Sequence, residues 1–359
     1  MKFISEYKNR EIAKILLEKI EKTLKNKWII MEICGSQTHT ILENGIDTLL
    51  PENLILVHGP GCPVCVTPIE IIDIAYNLSL REDVILCSYG DMLRVPGTYG
   101  SLLDAKAKGA NIKMVYSSID AIKIAISNPF KKVVFFAIGF ETTTPMNAKA
   151  IEIAYEKNIN NFYVLISQVR VPPAIEAILN SPYCEINGFL APGHVCTVMG
   201  YKEYEPIAEK YKVPIVVTGF EPIDLLEGIY LLVKALEEKR YEVINQYKRS
   251  VKREGNLKAK EQIFKIFEIG DMKWRGIGVI PKSGFVLKKE YKKFDAINLI
   301  NEKYFSKENE ICIGAEILQG KKKPFDCPAY KKICTPENPL GALMVSNEGA
   351  CAAYYKYGK

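Results

Sequence analysis

Short apolar runs recur along the first two thirds of the chain, separated by segments with helical spacing of apolar and polar positions. The runs are Trp28–Ile33, Leu54–Val57, Val84–Leu86, Ile112–Tyr116, Val133–Ile138, Phe162–Ile166, Ile186–Leu190 and Pro214–Val217. Each has strand length, and strands alternating with helices predict parallel α/β sheets. Before the first run, Ile12, Leu16, Ile20 and Leu24 recur every four residues, so residues 1–27 read as an amphipathic helix. Thr67-Pro68-Ile69-Glu70 reads as a capping box with proline at the first helical position, and Thr144-Pro145 and Glu221-Pro222 open two further helices.

The three prolines, Pro68, Pro145 and Pro222, are separated by 77 residues each time, and each follows a strand and a glycine-bearing loop. This favours a duplication into two similar α/β domains with four-stranded parallel sheets flanked by helices, at 28–128 and 129–232. Beyond residue 233 the pattern changes. Two lysine-rich helical stretches lead into Trp274-Arg275-Gly276-Ile277-Gly278, then a tail rich in Cys, Pro and Gly. Residues 233–359 therefore read as a mostly helical and looped third domain. Its tail at 321–355 has little continuous periodicity, so something other than a large apolar core must hold it.

At 359 residues, 48% hydrophobic and 25% charged, the composition is that of an ordinary globular protein. A net charge of +6 gives no reason to expect nucleic acid, although it suits an acidic partner or an anionic cluster. No apolar run approaches the roughly 20 residues that span a bilayer. No secretory leader is visible, so no membrane is expected and the location is expected to be cytoplasmic. Ten cysteines in a reducing compartment favour metal or redox chemistry over structural disulfides.

Those cysteines fall into groups. Gly59-Pro60-Gly61-Cys62-Pro63-Val64-Cys65 sets two thiols three positions apart in a stiff loop directly after a strand. Such a pair can close a disulfide, hold half a metal site, or keep one thiol poised as a thiolate. Cys34 follows the first strand, so it and the Cys62/Cys65 loop are expected at one crevice beyond the strand ends, with His39 and His58 near by. A helix N-terminus there favours a thiolate at Cys34 or Cys65. In the tail, Cys312, Cys327, Cys334 and Cys351 are separated by 14, 6 and 16 residues. Four thiolates on loops suit zinc or a [4Fe–4S] cluster; the absence of any close Cys-x(2–4)-Cys knuckle favours the cluster. Lys321, Lys322 and Lys323 are expected beside it. In the second domain Gly139-Phe140-Glu141-Thr142-Thr143 and Pro192-Gly193-His194-Val195-Cys196 offer a carboxylate, hydroxyls and a histidine for polar ligand contacts. Cys87, Cys184 and Cys196 read as core or loop thiols. Ala315 to Lys322 lacks the first glycine and the final Ser/Thr of a phosphate-binding loop, so no nucleotide site is assigned.

Taken together, these segments resemble the HypD family of maturation factors, which build the iron centre of [NiFe] hydrogenases. The resemblance rests on the Cys34-Gly35 turn, the Gly59 to Cys65 loop, Gly139 to Thr143, Pro192 to Val195, and the four-cysteine tail ending Glu348-Gly349-Ala350-Cys351. It implies a scaffold shared with the small protein HypC, on which iron acquires two cyanides and one carbon monoxide. HypE donates the cyanide and HypF supplies HypE; the finished Fe(CN)2CO unit passes to the hydrogenase large subunit through HypC. It further implies Cys34 as the thiolate that transiently holds iron, Cys62 and Cys65 as a redox-active pair, and Cys312, Cys327, Cys334 and Cys351 as ligands of a [4Fe–4S] cluster. His39, Glu141 and His194 fall in its active-site motifs. Two positions depart from the family pattern: Gln37 replaces the first histidine of the Cys-Gly-x-His-x-His turn, and Cys196 replaces a serine. Glutamine has no imidazole with which to shuttle a proton. Such a protein is an assembly factor with thiol redox activity, in which a cluster would feed the Cys62/Cys65 pair. The rival function is an iron–sulfur-dependent thiol–disulfide reductase acting on a protein, which leaves Cys34 without a task.

Overall fold

A computed structural model of the chain describes residues 9–182, 184–301 and 304–358. All eight runs read from the sequence form strands: β1 (Trp28–Glu32), β2 (Leu54–His58), β3 (Val84–Ser88), β4 (Ile112–Met114), β5 (Lys132–Gly139), β6 (Phe162–Gln168), β7 (Gly188–Pro192) and β8 (Ile215–Thr218). A ninth short strand, β9 (Val243–Asn245), follows, and then an antiparallel pair, β10 (Phe267–Trp274) and β11 (Gly278–Leu287). The fold is α/β, with parallel sheets flanked by helices and a C-terminal part of helices and loops.

The strands group differently from the expected consecutive halves. One sheet has five parallel strands in the order β2-β1-β7-β8-β9, and the other four in the order β4-β3-β5-β6. The five-stranded sheet thus draws on 28–58 and 188–245, and encloses in sequence the four-stranded sheet drawn from 84–168. The boundaries at 28–128 and 129–232 cut across both sheets, and residue 233 cuts β9 from its partner β8. The 77-residue interval is no domain period either, because β2 and β8, which precede Pro68 and Pro222, lie in the same sheet. The reason is pairing. β1 is fully buried towards its C-terminal end and takes β2 on one side and β7 on the other, in register Ile30 to Gly188.

The N-terminal helix spans Arg10–Thr23; the first eight residues of the helix expected over 1–27 lie outside the described residues. The Asn9 side chain caps it by accepting from the Glu11 and Ile12 amides at 2.9 and 3.4 Å. Its buried Leu16 and Ile20 join Ile30, Leu190, Val216 and Leu225 in the core under the five-stranded sheet. The helix starts at Pro145 and Pro222 behave as read, and Glu221 forms a capping box with Asp224. The start at Pro68 does not. A four-residue helix, Pro63–Val66, precedes it, so the Thr67 hydroxyl donates back to the Pro63 carbonyl at 2.9 Å and caps nothing.

The β10–β11 pair replaces part of the helical region expected after 233. Phe267 and Trp274, at its ends, are buried, and the Trp274 indole donates to Ser283 Oγ at 2.9 Å. The pair ties the four-stranded sheet to the loops above it. The Arg170 amide donates to the Ser283 carbonyl at 2.8 Å, and the Phe140 and Trp274 rings lie 5.9 Å apart. The last helix, Ala350–Tyr357, packs on the helix Gly35–Glu43. Among the described residues no helix is long and apolar enough to cross a membrane.

Candidate functional site

Ligands of open parallel sheets bind beyond the carboxyl ends of the strands, and the candidate residues collect there. Cys34 sits at the N-cap position of the helix Gly35–Glu43, immediately after β1, with its side chain making no capping bond. The Cys62 loop, following the neighbouring β2, is pressed against it: the Gly35 amide donates to the Gly61 carbonyl at 3.0 Å. A Cβ on Gly61 would lie 2.2 Å from the Cys34 nitrogen, so this approach requires glycine. Cys62 and Cys65 are joined as a disulfide, with Cα atoms 5.2 Å apart, and both are buried. Cys62 caps the short helix Pro63–Val66, its sulfur accepting from the Cys65 amide at 3.3 Å.

The turn at Cys34 is held from below by a carboxylate that ends β1. Glu32 is fully buried; its Oε2 accepts the Cys34 amide at 3.0 Å, and its Oε1 accepts the Thr38 hydroxyl and His58 Nδ1, the latter at 2.5 Å. His58 Nε2 lies 3.1 Å from the Tyr354 hydroxyl on the C-terminal helix. A continuous buried chain therefore runs from Tyr354 through His58 and Glu32 to the Cys34 backbone. From the other side, Glu348 accepts from Ser36 Oγ at 2.7 Å.

The Cys34 thiol differs from expectation. Burial, then the charges of Glu348 and Glu32, push its pKa up to about 12, although the Ser36 and Gln37 amides pull in the opposite direction. The helix N-terminus does act as anticipated, but desolvation and two carboxylates outweigh it. The free chain therefore holds a neutral thiol at Cys34, not a thiolate.

Across the crevice, the β5 loop brings Glu141, which is buried. Its Oε1 accepts the Val171 amide at 3.0 Å, and its Oε2 has no hydrogen-bond partner among the described residues. Burial raises its pKa to about 7 against the opposing pull of Arg170. Cys196, read as a core or loop thiol, lies between the two sides: burial lifts its pKa, Tyr204 is its hydrogen-bonding neighbour, and both Glu141 and Cys34 act on it electrostatically. Gln37 also faces this crevice. It donates to the Ala191 carbonyl at 3.1 Å and to Thr218 Oγ1 at 2.6 Å, while its Oε1 is buried without a partner among the described residues.

Two expected site residues point elsewhere. His39 turns towards the C-terminal helix, with Nδ1 3.3 Å from the Asn347 carbonyl and its ring edge-on to Tyr357. His194 stacks on Phe220 with ring centroids 3.8 Å apart, and desolvation lowers its pKa. The sequence reading missed Glu32 and Tyr354, and used His58 only as a neighbour. The available signal was an acidic residue closing the otherwise apolar strand Trp28-Ile29-Ile30-Met31-Glu32.

In the tail, Cys312, Cys327, Cys334 and Cys351 all line one pocket, walled by Ile313, Ile317, Tyr330, Leu343 and Met344. Each of the other three thiols raises the pKa of Cys351, after the larger effect of burial. Among the described residues no group of three or more His, Cys, Asp or Glu is arranged to hold a metal ion. Lys321, Lys322 and Lys323 do not join them; they line a separate pocket with Ile55, Val57 and Cys184.

Comparison with known proteins agrees with these motifs. The HypD family profile, described as the hydrogenase formation hypA family, matches residues 11–358. Hydrogenase maturation factor HypD2 of Bradyrhizobium diazoefficiens is 48% identical over 370 residues, covering 100% of this chain and 97% of its own. Hydrogenase maturation factor HypD of Azotobacter vinelandii is 46% identical over 369 residues, covering 100% of this chain and 97% of its own. That of Escherichia coli (strain K12) is 43% identical over 371 residues, covering 99% and 98%. With a profile spanning nearly every residue and full-length relatives at this identity, the chain belongs to the HypD family of hydrogenase maturation factors.

Proposed function

We propose that this maturation factor carries iron on Cys34 while the Fe(CN)2CO unit is assembled, sharing it with a cysteine of HypC. What supports the reading is one juxtaposition: a free thiol at the end of β1, with a disulfide loop held 3.0 Å from its turn by the Gly35 to Gly61 hydrogen bond. A soft thiolate suits low-spin iron with π-acceptor ligands, and a second thiol on a partner makes a clamp that can later release its cargo. Because the free thiol is neutral, loading iron must release its proton. Glu141 is half protonated near pH 7. Its neutral carboxyl would donate a hydrogen bond to a cyanide nitrogen, where a carboxylate would repel the electron-rich unit. Cys62 and Cys65 would act as a thiol–disulfide switch beside the iron. In this scheme HypE delivers cyanide that originates with HypF, and HypC carries the finished unit to the hydrogenase large subunit.

Cys312, Cys327, Cys334 and Cys351 would hold a [4Fe–4S] cluster, which when bound supplies single electrons. The donor set fits: four thiols spaced around an apolar pocket suit a cluster better than one zinc ion, whose four ligands must meet at about 2.3 Å from the metal. Gly341 leaves room there, since a Cβ at that position would lie 2.5 Å from Cys312 Sγ.

The test is infrared spectroscopy of the chain co-purified with HypC. Metal-bound cyanide and carbon monoxide bands are expected, and Cys34→Ala should abolish them. Equal bands in the Cys34→Ala protein would overturn the assignment. A reductase without iron cargo would lose disulfide reduction in Cys62→Ser yet be indifferent to Cys34→Ala.

A further inference from the structure

A cavity of about 100 Å³ separates the two cysteine groups. Cys65 lines it on one side and Cys312 on the other, with Arg275 and Glu308 as its charged wall. The backbone fixes Arg275 there, because its amide donates to the carbonyl of Val66, next to Cys65, at 2.8 Å. Its guanidinium is buried, 9% exposed, and Nη2 donates to Glu308 Oε2 at 2.6 Å. Nη1 is buried with no hydrogen-bond partner among the described residues. A buried charged donor without an acceptor costs desolvation that nothing returns. Its retention makes sense if an acceptor forms in the cavity during part of the protein's cycle. The walls are close-packed otherwise: Cys65 Sγ lies 3.9 Å from the Ala342 carbonyl, one residue beyond Gly341, whose missing Cβ leaves room for Cys312 Sγ.

We propose that Arg275 is a positioning residue that stabilises a Cys65 thiolate formed when the Cys62–Cys65 bond opens, and thereby sets how readily the pair is reduced. A dithiol donor places two electrons in the sulfur–sulfur bond and becomes a disulfide itself. Of its two protons, one goes to Cys62 as a thiol and the other to solvent, leaving Cys65 ionised against the guanidinium. Glu308 competes for the same cation, so the Arg275–Glu308 pair moderates the effect. Arginine suits the task because its fork can serve the carboxylate and the sulfur from different nitrogens.

The inference rests on the reading of Cys62 and Cys65 as a redox pair. Full-length protein, purified anaerobically, is equilibrated in dithiothreitol redox buffers, alkylated, and the Cys62/Cys65 peptide quantified by mass spectrometry. Arg275→Gln should shift the dithiol–disulfide equilibrium about tenfold towards the disulfide, equivalent to about 30 mV for two electrons. Arg275→Lys should recover part of that shift. Glu308→Gln, at a half-exposed position and so expected to fold, should move the equilibrium towards the dithiol. An unchanged equilibrium in folded Arg275→Gln overturns the proposal. So does a shift of equal size in Arg275→Lys with none in Glu308→Gln, which would mark a packing role. If the wild-type pair resists reduction at every buffer ratio, the redox reading itself fails, a result distinct from reduction that ignores Arg275.

Discussion

The Cys34 crevice and the four-cysteine tail are both built from thiols on loops and short helices, yet they are held in opposite ways. Around Cys34 the backbone is pinned by strand ends and a buried hydrogen-bond chain, with Glu32 alone taking the Cys34 amide, the Thr38 hydroxyl and His58. Around the quartet there are short helical turns, such as Pro324–Asp326 and Ala342–Met344, and a small pocket lined by the thiols and apolar side chains. On the proposed reading, a site that would bind and release cargo is preorganised by protein groups, and one that would keep a cofactor can leave much of its rigidity to the ligand bonds.

The comparison breaks first at Glu32. Glu32→Ala strands three buried donors at 1–3 kcal/mol each, so a loss of about 4 kcal/mol of global stability is expected in urea unfolding. A loss below about 1 kcal/mol would mean that the crevice is not held in this way.

Glu141 gives the next largest effect, and its sign is fixed by its raised pKa. The folded chain keeps a proton, up to about 7, that an ordinary glutamate of pKa 4.5 releases. This group's stabilising contribution is complete below the unfolded value and is lost as pH rises through the folded one. Between about pH 4.5 and 8 the wild type should therefore lose up to about 3 kcal/mol relative to Glu141→Gln. Parallel pH profiles of the two proteins would refute the burial argument.

The quartet sharpens the contrast. Cys351→Ala should raise amide hydrogen exchange at 312–349 about a hundredfold, roughly 2.7 kcal/mol, while β1 to β8 keep their protection. Uniform loosening of both regions would erase the distinction. Smallest of all, His39→Ala should cost less than about 1 kcal/mol and leave the infrared bands of loaded protein intact, because the ring faces Tyr357 and Asn347.

Legibility in the sequence followed the range of the interactions involved. Eight strands were readable because each is a local apolar run bounded by polar turns. Which strands share a sheet was not, since β1 finds β7 across more than 150 residues and nothing local to either names the other. The Cys62 loop and the quartet were legible as spacings. The neutral state of Cys34 was not: it depends first on burial and then on Glu348, which reaches Ser36 from 312 residues further along. The pair β10–β11 was hidden by lysines that look helical, although Phe267 and Trp274 sit at opposite ends of an alternating segment. Arg275 stood out only as part of a glycine-rich turn, because its significance lies in a cavity assembled from four separate stretches, at 65, 275–276, 308–318 and 341–343.

The interleaved strand order also bears on how the protein comes into being. During synthesis the four-stranded sheet is complete once residue 168 has emerged, whereas β1 still lacks β7 and the sheet lacks β8 and β9. Such long-range pairing is slow and leaves the early strands waiting with open edges. Cys34 thus leaves the ribosome well before the groups that enclose it, since Glu348 and Tyr354 follow it by more than 300 residues. Until those residues arrive, the nascent chain leaves that thiol open to water, and only the folded chain surrounds it with Glu32 and Glu348.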